Sequence, residues 1–378
     1  MPKSIKIFLI ALVSLLVVSM SFGAGCIFNL ATQRPDVNLI NQSWNVIISN
    51  YVEPGKLDSK ILNQGAIRGI VQSIKDPYSA YLDPDAYQIQ KSNIQGSFEG
   101  IGAQVSLNAD NRVIIVTPLE NYPAAKAGVK TGDIILAVDG KSIQGMSLAE
   151  AVLLIRGKTG TAVKLTILHS GETMPVEIEI IREFINASGV TSSMKGSVAY
   201  IKIVTFNEST NAELQGALES LDLNNSSGII LDLRDNPGGL VSAVVDVASH
   251  FIKEGVVITL RDNQGRTTSE SVNPNGTFTD LPMVVLVNQY SASGSEVLTG
   301  ALQDYQRATI AGLQTLGKGS YDAFFQLNDG SAIYLTIGRW LTPQGREIEG
   351  KGITPDQVLT QTDEEQIQWA VDFLNRPK

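Results

Sequence analysis

The chain is organised around Asn-Gln-Tyr-Ser-Ala-Ser-Gly-Ser-Glu at residues 288–296, which Gly-Lys-Gly follows at residues 317–319. A serine hydroxyl is a weak nucleophile at neutral pH unless a neighbouring group, usually a histidine, accepts its proton. The chain has only two histidines: His169 lies in a turn-like His-Ser-Gly-Glu and His250 ends a helical run. We expect both to be surface or capping residues. If a serine here is activated, a lysine held neutral by burial is the remaining candidate base.

Further sequence blocks follow in a fixed order. They are Ser-Ala-Ser-Gly-Ser-Glu at 291–296, Gly-Ala-Leu-Gln-Asp at 300–304, Arg-Ala at 307–308 and Gly-Lys-Gly-Ser at 317–320. This series resembles the C-terminal processing (tail-specific) peptidases. The resemblance implies that Ser293 is the nucleophile and Lys318 the general base of a serine peptidase.

Composition limits the functional class. A chain of 378 residues predicts two or three domains. Its net charge is -9 and it has no run of Lys and Arg, which argues against nucleic acid as a partner. The single cysteine excludes an internal disulfide, and no set of Cys and His has the spacing of a zinc site. We therefore expect no metal and no cofactor.

Residues 1–30 have the composition of a targeting segment. Lys3 and Lys6 precede an apolar stretch at residues 7–30 that carries no charge, which predicts a signal peptide or a membrane anchor. Small residues before Cys26 resemble a lipoprotein-processing site, although Gly23 stands where leucine is usual, so lipidation is a third alternative. All three place the remaining chain outside the cytoplasm, in the periplasm or at the cell exterior.

Residues 31–92 predict an N-terminal helical region. Apolar residues recur at helical spacing at 37–51 and 61–74, on either side of the breaker Glu-Pro-Gly, and this favours an α-hairpin. Asp-Pro-Tyr-Ser-Ala-Tyr-Leu-Asp-Pro at 76–84 is rich in turn residues, and the family carries such a segment at this place. We interpret it as a structural connector.

Residues 93–184 resemble a PDZ domain, a β-sandwich-like fold with two helices. The resemblance rests on Phe-Glu-Gly-Ile-Gly at 98–102, Gly-Asp-Ile-Ile-Leu-Ala-Val-Asp-Gly at 132–140 and an amphipathic helix near 148–155. A glycine loop lets backbone N–H groups approach a terminal carboxylate, and the adjacent strand edge adds the peptide as an extra strand. A PDZ domain that packs on the protease and binds nothing stays open. The predicted tail-binding loop consists of Glu99, Gly100, Ile101 and Gly102.

Arg156 follows the amphipathic helix. In relatives a basic residue near this position couples tail binding to the active site, so the resemblance makes Arg156 a regulatory candidate. A solvated arginine at a helix C-terminus is also favourable without such a role.

Residues 185–360 alternate between strand and helix patterns, which predicts an α/β protease core, and residues 361–378 contain a last amphipathic helix. The fold class is therefore α/β multidomain. The core strands are predicted at 198–204, 228–233, 256–260 and 283–287, and the helices at 211–221, 241–252, 296–305 and 364–374.

The Pro-Gly-Gly turn at 237–239 has a chemical interpretation. A tetrahedral intermediate needs two backbone N–H donors aimed at its oxyanion, and glycine admits a substrate carbonyl close to the chain. The resemblance implies that Gly239 and Gly294 supply these donors. Relatives commonly have alanine in place of Gly294, a change that keeps the main-chain donor.

Asp322 departs from the family pattern, since most relatives have glutamine four residues beyond the lysine. A carboxylate within about 4 Å would favour the protonated amine by roughly 4 kcal/mol at an effective dielectric near 20, and a protonated amine accepts no proton. Activity then requires that Asp322 points to solvent, that it is protonated, or that Gln326 replaces the missing amide. We expect an active enzyme with an alkaline-shifted pH profile.

These patterns together predict an extracytoplasmic serine endopeptidase that acts on proteins with exposed C-terminal tails and contacts the membrane through its N-terminal segment. The competing hypothesis is a tail-binding scaffold whose chemistry Asp322 has disabled. An acyl-transfer or hydratase enzyme is disfavoured, because a PDZ domain has no evident use with a small substrate. Assembly into an oligomer, and whether the PDZ domain activates or blocks the site, stay open.

Overall fold

A computed structural model describes residues 37–93, 98–108, 110–185, 188–273 and 278–376. The chain divides after Gly65 into two compact units. Helix α1 (Val37–Asn50) lies in the first unit and has no buried residue, and α2 (Ser59–Ser73) begins there and continues into the second. The predicted signal peptide or anchor and Cys26 lie outside the described residues. Within the ranges given above, no helix is both long and apolar enough to cross a bilayer.

The predicted connector after α2 forms a strand of the core. Strand β1 (Ala80–Leu82) pairs antiparallel with residues 332–334, and α3 (Pro84–Asn93) follows. Although the sequence places this segment in the N-terminal helical region, hydrogen bonding assigns β1 to a sheet of the protease core.

The PDZ region forms one main sheet in the order β3-β4-β5-β7-β8, with a short strand, β6, paired to β5. On β7, Val163, Leu165 and Ile167 are fully buried and alternate with more exposed residues, the period expected for a half-buried strand. The elements are β2 (Phe98–Gly100), β3 (Ala103–Leu107), β4 (Val113–Pro118), α4 (Pro123–Lys126), β5 (Ile134–Val138), β6 (Lys141–Ser142), α5 (Leu148–Ile155), β7 (Ala162–Leu168), β8 (Val176–Ile181) and β9 (Glu183–Ile185).

The two ends of the PDZ region meet. Strands β2 and β9 pair antiparallel, with Phe98 opposite Ile185 and Gly100 opposite Glu183. The domain therefore leaves and rejoins the chain through a two-stranded neck.

The α/β core contains two sheets. The first has the order β10-β11-β12-β15-β16-β19, and every neighbouring pair except β10 with β11 is parallel. The second has the order β1-β18-β13-β14, with β17 paired to β18. The elements are β10 (Val190–Lys195), β11 (Val198–Ile203), α6 (Thr210–Ser220), β12 (Gly228–Asp232), α7 (Val241–Ser249), β13 (Val256–Asp262), β14 (Thr267–Ser271), β15 (Met283–Val287), α8 (Gly294–Asp304), β16 (Thr309–Gly312), β17 (Ser320–Gln326), β18 (Ala332–Leu341), β19 (Gln357–Val358) and α9 (Asp363–Leu374).

Helices cover both faces of the parallel sheet. All residues of β12 and β15 are buried, which explains their continuous apolar runs. Ile229 and Leu231 pack in one cluster with residues of α6, α7 and α8, whereas Ile230 faces the opposite cluster with Ile367 of α9. This packing fixes the carboxyl ends of the strands, from which the candidate site is built.

A buried ion pair joins the parallel sheet to α9. Arg234 donates to Asp232 from Nε at 2.9 Å and from Nη2 at 2.6 Å, and Nη1 donates to the Asp363 carbonyl at 3.0 Å. Burial acts to raise the pKa of Asp232, but the hydrogen bonds and charge of Arg234 outweigh burial and hold it below its usual value. The pair also fixes the start of the turn that leads to Gly239.

We predict that Arg234→Leu lowers the free energy of unfolding by about 3–5 kcal/mol, because it leaves the Asp232 carboxylate buried without its partner. Urea denaturation followed by fluorescence measures the change. The matched control is Arg266→Leu, which removes an exposed pair with Asp262 and should cost less than about 1 kcal/mol. Equal, small losses in both variants would contradict this assignment.

Candidate active site

A cavity of about 710 Å³ lies between the PDZ domain and the protease core. It brings together most of the residues that the sequence singles out. Its lining includes Ser293, Lys318, Asp322, Gly239, Ile101 and Arg156.

Ser293 occupies the sharp turn between β15 and α8. Its backbone has φ 51° and ψ -113°, a conformation that L-residues rarely adopt and that costs about 1–3 kcal/mol. The preceding residue, Ala292, donates its N–H to the Asn236 carbonyl at 3.0 Å. Strain at this turn, held by its surroundings, is a recurrent feature of nucleophilic serines between a strand and a helix.

Asn236 ties the Ser293 turn to the Pro-Gly-Gly turn. Its fully buried side chain donates to the Ile203 carbonyl at 2.8 Å and accepts from the Gly238 N–H at 2.8 Å. Its carbonyl accepts from the Ser295 hydroxyl at 2.8 Å. The two turns that carry the expected oxyanion donors are therefore held by one asparagine.

The glycines of these two turns leave little room for a side chain. A Cβ on Gly239 would lie 2.0 Å from the Phe206 carbonyl oxygen, so no other residue fits without backbone movement. A Cβ on Gly238 would lie 2.7 Å from the Gly294 nitrogen, which shows how closely the two turns approach. On Gly294 it would meet a Val244 methyl at 2.8 Å, a contact that a side-chain shift can relieve. Alanine is thus sterically easier at 294 than at 239.

Glu296 connects the serine turn to the lysine loop. Its buried carboxyl accepts from the Ser293 N–H at 2.9 Å and the Lys318 N–H at 2.8 Å through one oxygen. The other oxygen accepts from the Thr315 hydroxyl and the Gly317 N–H, both at 2.6 Å. Burial raises the pKa of Glu296 to about 7, and these four hydrogen bonds act in the opposite direction. The charged form, which accepts all four bonds, is therefore depleted as the pH falls below about 7.

Lys318 is paired with Asp322. Lys318 Nζ lies 3.2 Å from Asp322 Oδ2, and the two side chains are 17% and 4% exposed. Asp322 also accepts from the Thr336 hydroxyl at 2.7 Å and the Tyr334 hydroxyl at 3.3 Å. Asp322 therefore does not point to solvent, and Gln326, exposed at the end of β17, does not take the place of the missing amide. In the described ranges, Ser293 Oγ is not a hydrogen-bonding partner of Lys318 Nζ.

Neither histidine lines the cavity. His250 is the C-cap of α7 and is buried, with Nε2 at 2.9 Å from the Asn211 side chain. His169 forms a pair with the buried Asp133 at 2.8 Å. Among the residues that the structure describes, no cluster of His, Cys, Asp and Glu could hold a metal ion.

The predicted tail-binding loop borders an apolar groove. Ile101 is buried and lines the cavity, while Glu99 and Gly100 lie in β2, and the Glu99 carboxylate accepts from the Thr159 N–H at 2.8 Å. Gly102 has φ +70°, and a Cβ there would lie 2.3 Å from the Tyr122 Cβ. Strand β3 forms one side of the groove and α5 the other. The apolar lining residues are Ile101, Ala103, Val105, Leu148, Val152 and Ile155.

Helix α5 has defined ends. A capping box between Ser147 and Glu150 begins it, and Arg182 donates to the carbonyls of Leu154 and Ile155 at its end. Arg156, the C-cap, is partly buried on the cavity wall. Burial lowers the pKa of Arg156 to about 10, so it stays charged at neutral pH.

Family models match three consecutive segments of the chain. Residues 29–86 match the activating protease CtpB N-terminal domain, residues 90–168 the PDZ domain and residues 197–359 Peptidase family S41. The carboxy-terminal-processing protease of Bartonella bacilliformis is 38% identical over 80% of this chain and 71% of that protein. CtpA of Bacillus subtilis is 37% identical over 94% of this chain and 77% of that protein. The chain belongs to the carboxy-terminal processing protease family.

Membership of this family makes the chain a serine-type peptidase with a PDZ domain. The structure also resembles the photosystem II D1 C-terminal processing protease, with a TM-score of 0.72 and 29% identity over 89% of this chain and 97% of that protein. The predicted fold class, with its helical N-terminal segment, PDZ domain and α/β core, is therefore confirmed.

Three residues of this candidate site are not predicted by the sequence. Asn236 precedes the Pro-Gly-Gly turn and Glu296 ends the serine motif, but their roles come from buried contacts that join separate segments. Tyr78 belongs to the segment interpreted as a connector, yet its ring lies beside Lys318. The resemblance of Asp-Pro-Tyr-Ser at 76–79 to the family's segment at this place is the sequence signal for Tyr78.

We predict that Glu296→Gln lowers kcat/KM by about 10²-fold at pH 8, because the amide nitrogen would face backbone N–H donors and two buried bonds would be lost. Cleavage of a denatured protein measures the effect. The matched control, Glu365→Gln, removes a carboxylate that accepts from the N–H and the hydroxyl of Thr362 at the start of α9, and should change kcat/KM by less than about threefold. Similar rates for the Glu296 variant and the wild type would show that the bridge is dispensable.

Proposed function

We propose that this protein is an extracytoplasmic endopeptidase that cleaves protein substrates recognised by their C-terminal tails, with Ser293 as nucleophile and Lys318 as general base. The observation that carries the proposal is the single cavity that holds both residues, Gly239 and the apolar PDZ groove. No described histidine offers a competing base in this cavity.

The proposed reaction has two steps. Lys318 Nζ takes the proton of the Ser293 hydroxyl as its oxygen attacks the scissile carbonyl, and the N–H groups of Gly239 and Gly294 stabilise the oxyanion. Collapse breaks the C–N bond, Lys318 gives the proton to the leaving amine, and an ester to Ser293 forms. Water then attacks the ester, Lys318 again transfers the proton, and the carboxylic acid product leaves.

The groove supports recognition of an apolar tail. Leu148, Val152 and Ile155 recur at helical spacing along α5 and face β3, the arrangement in which a peptide adds as an extra strand. The loop at 99–102 would bind the terminal carboxylate, and the charged Arg156 would couple an occupied groove to the active site. The continuous cavity gives a bound chain a path from the groove to Ser293.

The names of the relatives support the substrate class. The proteins from Bartonella and Bacillus are named carboxy-terminal processing proteases, and the structural relative is named for processing of the photosystem II D1 protein. We extend C-terminal processing to this chain. Its apolar N-terminal sequence supports a location outside the cytoplasm and attachment to or release from the membrane.

Single substitutions Ser293→Ala and Lys318→Ala should each lower turnover of a tail-tagged protein by at least about 10³-fold, because each removes one half of the dyad. Binding of the tail peptide, measured by fluorescence anisotropy, should stay within about twofold because the groove is untouched. The control is Ser320→Ala, which removes a buried cavity hydroxyl that makes no hydrogen bond to any described residue. Retained cleavage by either dyad variant would refute the assignment.

Asp322→Gln should lower the pH of half-maximal kcat/KM. The Asp322 carboxylate stabilises the protonated amine at 3.2 Å, and the neutral amide does not. A pH–rate profile from pH 6 to 10 measures the shift. Glu347→Gln, which removes an exposed carboxylate paired with Lys351, should leave the profile in place. Superimposable curves for wild type and Asp322→Gln would discard the explanation.

A further inference from the structure

Tyr78 lies against the amine that the proposed function makes the base. Lys318 Nζ is 4.5 Å from the centroid of the Tyr78 ring, well inside the range of a cation–π interaction. Asp322 Oδ2 approaches the same nitrogen at 3.2 Å. The amine therefore lies between the face of an aromatic ring and a carboxylate.

The backbone of Tyr78 is held by its own turn. Asp76 accepts from the Tyr78 N–H at 3.2 Å and from the Ser79 hydroxyl at 2.5 Å. The Ser79 oxygen in turn accepts from the Thr336 N–H at 3.1 Å, and Thr336 donates its hydroxyl to Asp322. Thr336 of β18 therefore bonds both to the turn that carries Tyr78 and to the Asp322 carboxylate.

The ring also faces the PDZ domain. Tyr78 is partly buried, packs against the apolar cluster of that domain and lines the cavity. Burial, with Glu349 as the next cause, raises the pKa of Tyr78 to about 12, so its hydroxyl stays protonated and does not compete as a base. The contact with the amine is made by the ring face.

We propose that Tyr78 is a positioning residue of the peptidase site, whose ring holds the Lys318 amine at the mouth of the PDZ groove. This inference rests on the proposed Ser293–Lys318 dyad. The ring adds to the attraction of the Asp322 carboxylate for the ammonium form and restricts where the long lysine side chain can lie. The segment interpreted from sequence as a connector is thereby part of the active site.

The other titratable groups around Tyr78 and Lys318 are unchanged in every test variant. They are Asp322 on β17, Asp76 in the turn before β1, Glu296 on α8, Glu349 in the loop before β19, and the hydroxyl of Tyr334 on β18. Because substitutions at position 78 leave all of them in place, a change in the pH profile reports the loss of the ring itself.

The test compares Tyr78→Leu and Tyr78→Phe. Two profiles are measured from pH 6 to 10: kcat/KM for a tail-tagged protein, and the rate of Ser293 labelling by a small fluorophosphonate, which needs no tail. Loss of the ring should lower the plateau labelling rate about tenfold or more and move the pH midpoint down. The phenylalanine variant keeps the ring face and should match the wild type within about twofold.

Two controls separate this role from folding and from the dyad itself. Tyr87→Leu removes a nearby aromatic contact with Phe324, and should not move the midpoint. If Tyr78→Leu fails to fold by thermal unfolding, Tyr78→Met replaces it. The inference is wrong if a folded variant without a ring keeps the wild-type profile. It is also wrong if Tyr78→Phe is as impaired as Tyr78→Leu. Neither outcome would contradict the proposed dyad. A wild type that neither cleaves nor labels would overturn the proposed function, and the inference with it.

Discussion

The arrangement of this site depends on the buried carboxyl of Glu296. Ser293 and Lys318 belong to segments separated by α8 and β16, so contacts between these segments fix the position of one residue relative to the other. One carboxyl oxygen accepts the N–H groups of both residues, and the other accepts two donors of the lysine loop. Four donors partly replace the hydration of this buried carboxylate, although burial still raises its pKa to about 7. The strained backbone of Ser293 is held by the same carboxyl.

Much of this architecture could be predicted from sequence because its signals are local. The buried strands β12 and β15 are short, continuous apolar runs, and α5 has a helical period with a capping box, so their bounds match the predicted ones closely. The Ser293 turn is a junction of small residues between a strand and a helix. It could be predicted from the residues next to it.

The surroundings of the lysine could not be predicted in the same way. Strands β17 and β18 are partly covered on both faces, so neither shows the alternation that marks a half-buried strand. The environment of Asp322 is created by Thr336 and Tyr334 across that pair, and the ring of Tyr78 arrives from a segment that precedes the whole PDZ domain. Contacts between distant segments produce no periodic pattern in the sequence from which they could be predicted.

The two-stranded neck formed by β2 and β9 marks the boundary between the PDZ domain and the catalytic module. Because β1 lies before the neck and pairs with β18 after it, the catalytic module is discontinuous and the PDZ domain is an insertion within it. An excised fragment that starts after the PDZ domain would lack an edge strand and the aromatic wall of the lysine pocket. Conversely, the adjacent entry and exit points favour exchange of the inserted domain as a unit, provided that a substitute has ends that meet in the same way and also packs against Tyr78.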